Sequence, residues 1–386
     1  MSRQSDSSPN APASISRKTK KKIWFWLRLF AAVAVLWWVI HKNGQGRIME
    51  GLLSAKPGWV LLAALFFFLS IAAGAYQWHL LLRMQGIAFG YRACFRTYYS
   101  GMFLNNFLPG TVGGDALRVY EVKQGSEGWG KAVASTFLDR LIGFFTLSLL
   151  SLVSVGVALW RNTLDQSVFR HLLYAVGLVF GIFVIVLVLL LSRRIASMVH
   201  SMIHWTGMKW LEESHARMQE ILLAYRARWG EMAFVILVSC VVQILRIDVH
   251  WFSALGLGVR ISPVFFFCFI PVIALAGVVP LNVGGWGIPQ SIGTYLYTLP
   301  GVLEPVLAAS GSGPLSDHPV FSATGGNVNV AAAALAFLPS VIGLVVMLGG
   351  GFYFVRGRAG VTGESVKVKV QSSKFKVENQ GSEGTK

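Results

Sequence analysis

Charge is what this chain has least of. Asp, Glu, Lys and Arg together make up 13% of its 386 residues, about half the share of a typical soluble domain. Hydrophobic residues stand at 54% before the 41 glycines are counted. That balance excludes an ordinary soluble enzyme, and also a disordered chain, which needs high charge and low hydrophobicity. Cysteine is scarce too. Cys94, Cys240 and Cys268 are odd in number, lie in or beside apolar runs, and form no CxxC or Cys/His pattern. Neither a disulfide framework nor a zinc site is supported, and the three thiols read as small buried apolar groups. Catalytic signatures are missing: no GxxxxGK(S/T), no HExxH, no GxSxG, and no GxGxxG opening a strand–helix unit. The expectation is a non-enzyme that needs no cofactor and no metal and does not hydrolyse ATP.

Acidic residues are the scarcer sign, 17 against 34 basic, for a net charge of +17. Residues 1–22 hold six basic residues against Asp6, and residues 356–386 hold seven against three acidic. Basic charge packed beside apolar segments points to anionic lipid and away from nucleic acid.

Long apolar runs are abundant, and crossing a ~30 Å hydrocarbon core takes about 17–25 residues. Such runs lie at roughly 23–40, 57–82, 141–160, 172–192, 232–255, 263–279, 284–300 and 330–355. The fold class expected is an all-α polytopic membrane protein with about eight transmembrane helices and one or two re-entrant or broken segments. The first run has no small-residue cleavage site after it and reads as an uncleaved span. The seventh is Gly-rich and interrupted by Pro289. Lys and Arg gather on the cytoplasmic side of membrane proteins, which places both tails inside and the 301–329 loop, without Lys or Arg, outside. Lys42, Arg47 and Lys56 in the first outer loop dissent. Residues 88–108 are apolar and aromatic and read as a re-entrant hairpin or a helix buried in the bundle. Residues 193–231 read either as an amphipathic helix on the inner surface or as a solvated connector.

A short repeat carries the first functional signal. Pro109-Gly110-Thr111-Val112-Gly113-Gly114 and Pro280-Leu281-Asn282-Val283-Gly284-Gly285 share the pattern Pro-x-x-Val-Gly-Gly. Paired Gly/Pro interruptions in two halves of a transporter point to its substrate site, because broken helices free N–H groups that an anionic headgroup can satisfy. Packing glycines that let helices approach are the alternative. The charge-based topology puts both motifs near the inner face.

The first motif runs on into Asp115 and Arg118. A helix starting after Gly114 would place Asp115 as its cap and Arg118 on the same face one turn later; the backbone over 105–120 is expected to be non-helical. Arg118 offers a planar fork suited to phosphate, which Asp115 can orient. Asp139 and Arg140 open the third span and, being adjacent, do not face each other. Interfacial anchoring is the other reading of both sets. In the fifth span Gln243, Arg246 and His250 fall on one helical stripe, with Asp248 elsewhere. Charged groups inside a span are functional candidates, with an internal salt-bridge network as the alternative.

The run Asn105-Asn106-Phe107-Leu108-Pro109, then Gly113-Gly114-Asp115 and Arg118, then Asp139-Arg140, resembles the first signature of the lysylphosphatidylglycerol synthase transmembrane family. Members are also described as flippase-like integral membrane proteins. Pro280 with Gly284-Gly285-Trp286-Gly287 looks like its second signature, although Pro289-Gln290 stands where relatives often carry Arg-Glu. The resemblance covers roughly residues 25–355. It implies a flippase-like transmembrane domain at 23–355, while composition gives a basic cytoplasmic tail at 1–22 and a disordered cytoplasmic tail at 356–386, too short for the soluble transferase domain of two-domain members. The resemblance implies an inner-membrane protein that moves a phosphate-bearing lipid between leaflets, with membrane lipids, anionic or phosphate-bearing, and envelope-lipid biosynthetic enzymes as candidate partners. The alternatives are a non-transporting partner of an envelope-lipid synthase, or the membrane subunit of a phosphatidylglycerol lysyltransferase. Contacts to lipid fall to Asn105, Asn106, Pro109, Gly113, Gly114, Asp115, Arg118, Asp139, Arg140, Arg246, His250, Pro280, Gly284, Gly285 and Gly287.

Overall fold

The computed structural model describes residues 45–107, 112–125, 129–160, 174, 176–178, 180–185, 221, 224–225, 227–278, 287–299, 302–303 and 327–381. Every regular element among them is an α-helix. In chain order these are α1 Gln45–Leu53, α2 Pro57–Met84, α3 Tyr91–Phe107, α4 Val112–Gly125, α5 Trp129–Trp160, α6 Trp229–Gly256, α7 Pro263–Val278, α8 Ile288–Tyr297 and α9 Val328–Gly381; the residues described between 174 and 185 are also helical. The first expected span at 23–40, most of the stretch at 193–231 and nearly all of the 301–329 loop lie outside the described residues.

Among the described residues, four helices are long and apolar enough to cross a bilayer: α2, α5, α6 and the Val328–Val355 part of α9. They coincide with the second, third, fifth and eighth expected spans. Their outward faces are apolar as well. Leu61 and Leu65 of α2, Val153 of α5, and Phe234, Leu237, Val241 and Ile244 of α6 are all exposed. A helix apolar on its outer face as well as its inner one needs lipid around it. The chain is an all-α polytopic integral membrane protein.

Local chemistry sets the ends of the spans. Pro57 opens α2, where its missing N–H costs nothing. The same helix closes at Gly86, whose φ of 72° suits a left-handed residue, and Ile87 N–H reaches back to the Leu82 carbonyl at 3.1 Å. Gly258 closes α6 in the same way, with Val259 N–H on the Ala254 carbonyl at 2.9 Å. Lys56 N–H donates to the Gly256 carbonyl at 2.8 Å, tying the start of α2 to the end of α6. These two helices pack together most extensively. Phe252 of α6 meets Trp59 face to face and Phe66 edge-on. Cys94 and Cys268 are buried free thiols and Cys240 is half-buried.

The structure departs from the sequence expectations at four places. The third span starts at Trp129, not near residue 141, so Asp139 and Arg140 lie three turns inside α5; their charges stay within the helix because they are paired, as shown below. The seventh expected span is a ten-residue helix, α8, about 15 Å long and too short to cross. Pro289 and the φ of 112° at Gly287 fix its late start. Residues 105–120 are helical on both sides of 108–111, as α3 and α4. Finally, α9 runs to Gly381, where composition suggested a disordered tail. No proline follows Pro339, and a nucleated helix propagates cheaply.

Candidate functional site

The site grows from the meeting of α3 and α4. Gly101 and Gly114 bring the two backbones into direct contact, and a Cβ on Gly114 would collide with the Gly101 carbonyl oxygen. Glycine is needed there for close approach. Asn105 Oδ1 accepts the Gly114 N–H at 2.7 Å and so caps the first turn of α4. Asp115 is therefore not the cap. Because α4 begins at Val112, Asp115 sits a turn inside it, and its carboxylate faces α5.

There it joins a four-residue charge network. Arg140 Nε donates to Asp115 Oδ2. Arg118 Nη1 lies 3.5 Å from Asp115 Oδ1, and Arg118 Nη2 donates to Asp139 Oδ2 at 2.8 Å. Asp139 Oδ1 accepts from Gln77 Nε2 of α2 at 2.9 Å, so both of its oxygens are occupied. The guanidinium carbon of Arg118 lies 4.4 Å from the Trp78 ring centre and 4.7 Å from that of Tyr98, which places the cation between two aromatic faces. Arg118 is only 5% exposed. A buried ion pair offsets its desolvation only when geometry and extra hydrogen bonds are good; Gln77 supplies one such bond to Asp139 and the two rings flank the cation, while Arg118 Nε is buried with no hydrogen-bond partner among the described residues.

Facing this network is α6. Gln243 Nε2 donates to the Gly143 carbonyl at 3.1 Å. Arg246 Nη2 donates to the Tyr98 hydroxyl at 3.2 Å, and Tyr98 reaches that position because Gly74 has no side chain: a Cβ there would lie 2.8 Å from the hydroxyl oxygen. His250 Nδ1 is buried without a hydrogen-bond partner among the described residues. Asp248 does not share this face, as the helical spacing predicts.

Between the two walls lies a cavity of about 400 Å³. Asn105, Asn106, Gly114, Asp115, Arg118, Asp139, Arg140, Arg246 and His250 all line it. Residues far apart in sequence, on α3, α4, α5 and α6, thus line one cavity. Gly113 and Gly287 are not in its lining. Gly287 instead opens α8, giving its N–H to Gln290 Oε1 at 2.7 Å, while Gln290 Nε2 reaches Ser340 Oγ of α9 at 2.8 Å. Pro109, Pro280, Gly284 and Gly285 lie outside the described residues.

The depth of the site differs from the expectation of a position near the inner face. Arg140 is roughly 16 Å along α5 from Trp129 by the helical rise, and Gly143 and Gln243, also in the lining, stand near the middle of α5 and α6. Sequence reasoning missed Gln77, Trp78 and Tyr98. Gln77 had a visible signal, a lone amide deep in an apolar run; the two aromatics had none, since aromatic residues are common in this chain.

Comparisons with known proteins agree with this membrane architecture. A family model described as the lysylphosphatidylglycerol synthase TM region matches residues 25–311. A UPF0104 membrane protein of Methanothermobacter thermautotrophicus is 25% identical over 281 residues, 69% of this chain and 83% of its own length. A second UPF0104 membrane protein, from Pyrococcus horikoshii, is 25% identical over 173 residues, 44% of this chain and 49% of its own. No solved structure matches the chain.

Proposed function

The chain belongs to the lysylphosphatidylglycerol synthase TM region family, and from that premise we propose that it handles a phosphate-bearing lipid, taking the headgroup into the cavity between α4, α5 and α6 and moving it between leaflets. The observation that carries this reading is the charge of the cavity, where, among the described residues, Arg118, Arg140 and Arg246 stand against Asp115 and Asp139. Ionised groups inside a membrane protein are costly and line substrate pathways. A cavity of about 400 Å³ sits at the lower end of the range for ligand pockets and suits a headgroup whose acyl chains stay in the bilayer. The chain would act without catalysis, in the inner membrane with both termini cytoplasmic. Full-length protein reconstituted in liposomes with fluorescent phospholipid in one leaflet tests this. Leaflet exchange should rise well above that of protein-free vesicles, and exchange equal to theirs would remove the transport reading.

A further inference from the structure

We infer that Arg246 is the group that receives the ligand's negative charge, and that the cavity selects a headgroup bearing a single phosphodiester charge and no compensating amine. This deepens the reading of the cavity as a lipid-headgroup site and rests on it.

The three arginines of the cavity are not equivalent. Arg118 is held by two carboxylates and two aromatic rings and is almost wholly buried, so little of it faces a ligand. Arg140 is committed to Asp115. Arg246 has no carboxylate within ion-pair distance among the described residues; its hydrogen bond goes to the neutral Tyr98 hydroxyl. A phenol orients a cation without neutralising it. A cation held mid-helix in a membrane protein calls for an anion, and Arg246 lines the cavity.

The neighbours fit a phosphodiester. Tyr98 accepts from Arg246 and still has its own O–H to give. His250, one turn along α6 on the same face, brings a buried Nδ1 that has no partner among the described residues. One surplus cation, the Tyr98 hydroxyl and, in the tautomer that carries its proton on Nδ1, His250 match one charge spread over two phosphate oxygens. A second negative charge would stand against Asp115 and Asp139, and a ligand's own ammonium group would compete with Arg246 for its phosphate.

The test is native mass spectrometry of the full-length protein in neutral detergent, titrated with phosphatidylglycerol, phosphatidylethanolamine and phosphatidic acid of one acyl composition. Phosphatidylglycerol should bind at least ten-fold more tightly than phosphatidylethanolamine, and more tightly than phosphatidic acid. That preference should fall to within two-fold in Arg246→Gln, be largely kept in Arg246→Lys, and be unchanged in Arg228→Gln, which removes an exposed cation outside the cavity. Equal binding of the first two lipids by the wild type would overturn the proposal, and needs no variant to fold. So would a preference that survives Arg246→Gln, or tighter binding of phosphatidic acid. Glycerol phosphate and inorganic phosphate are the soluble arms. Displacement of lipid by either at equal concentration would make the ligand a soluble anion and overturn the lipid class. Headgroup selectivity without leaflet exchange would sink the transport reading alone and support this one.

Discussion

The cavity has two unlike walls. The one built by α4 and α5, with Gln77 of α2 behind it, carries two arginines and two aspartates joined in a continuous network. The other, on α6, carries Gln243, Arg246 and His250 and no carboxylate. The first wall is electrically balanced by itself; the second is not. Charge inside a membrane protein is thus two signals rather than one. Paired charge fastens helices whose backbones already touch at Gly101 and Gly114, whereas unbalanced charge marks where a ligand is to go. The sequence motif that first draws the eye, around Arg118, belongs to the fastening wall.

The largest effect should come from breaking that wall. Asp139→Ala leaves Arg118 buried between Trp78 and Tyr98 with only Asp115 near it, and leaves Gln77 only the weaker bond to the residue 139 backbone carbonyl, at 3.3 Å in the wild type. Removing one partner of a buried pair costs about 3–5 kcal/mol. The protein should accumulate poorly in membranes, and its thermal midpoint in detergent should fall sharply. Replacing both partners, as Arg118→Met with Asp139→Leu, should recover much of the loss, because it removes the stranded charge. A midpoint for Asp139→Ala equal to the wild type would erase the distinction between the walls.

A smaller effect on the same wall separates geometry from charge. Arg118→Lys keeps the cation but gives up the planar group that lies against two rings and forks between two carboxylates. A loss of about 1–2 kcal/mol is expected, read as a moderate drop in thermal midpoint. A lysine variant as stable as the wild type would mean that the aromatic sandwich contributes nothing.

How much of this was legible in the sequence depends on the range of each interaction. The spans of α2, α6 and α9 were readable because apolar length is a local property, and so was the Asp115–Arg118 pair, three residues apart on one helix. The start of α5 was not, because Asp139 and Arg140 look like an interface until their partners are known. Those partners are Arg118 and Asp115, 21 and 25 residues away, and they come into reach only through the crossing of α4 and α5. Gln290 is a similar case. It ties α8 to α9 through Ser340, a contact that no local pattern announces.

The smallest effect on stability should come from Arg246→Gln, on the unbalanced wall. The variant gives up a hydrogen bond to the Tyr98 hydroxyl, about 1 kcal/mol net. It also removes a half-buried cation that no carboxylate among the described residues balances, which relieves a cost of the opposite sign. The two nearly cancel, so the thermal midpoint in neutral detergent should stay within the shift expected for less than about 1 kcal/mol. Added phosphatidylglycerol separates the proteins. A ligand that binds only the folded state raises its stability, so the wild-type midpoint should climb with lipid concentration while that of Arg246→Gln stays nearly flat. If Arg246→Gln instead collapsed in lipid-free detergent as far as Asp139→Ala, Arg246 would be a fastening residue too. Both walls would then be structural, and the surplus charge would no longer point to a ligand.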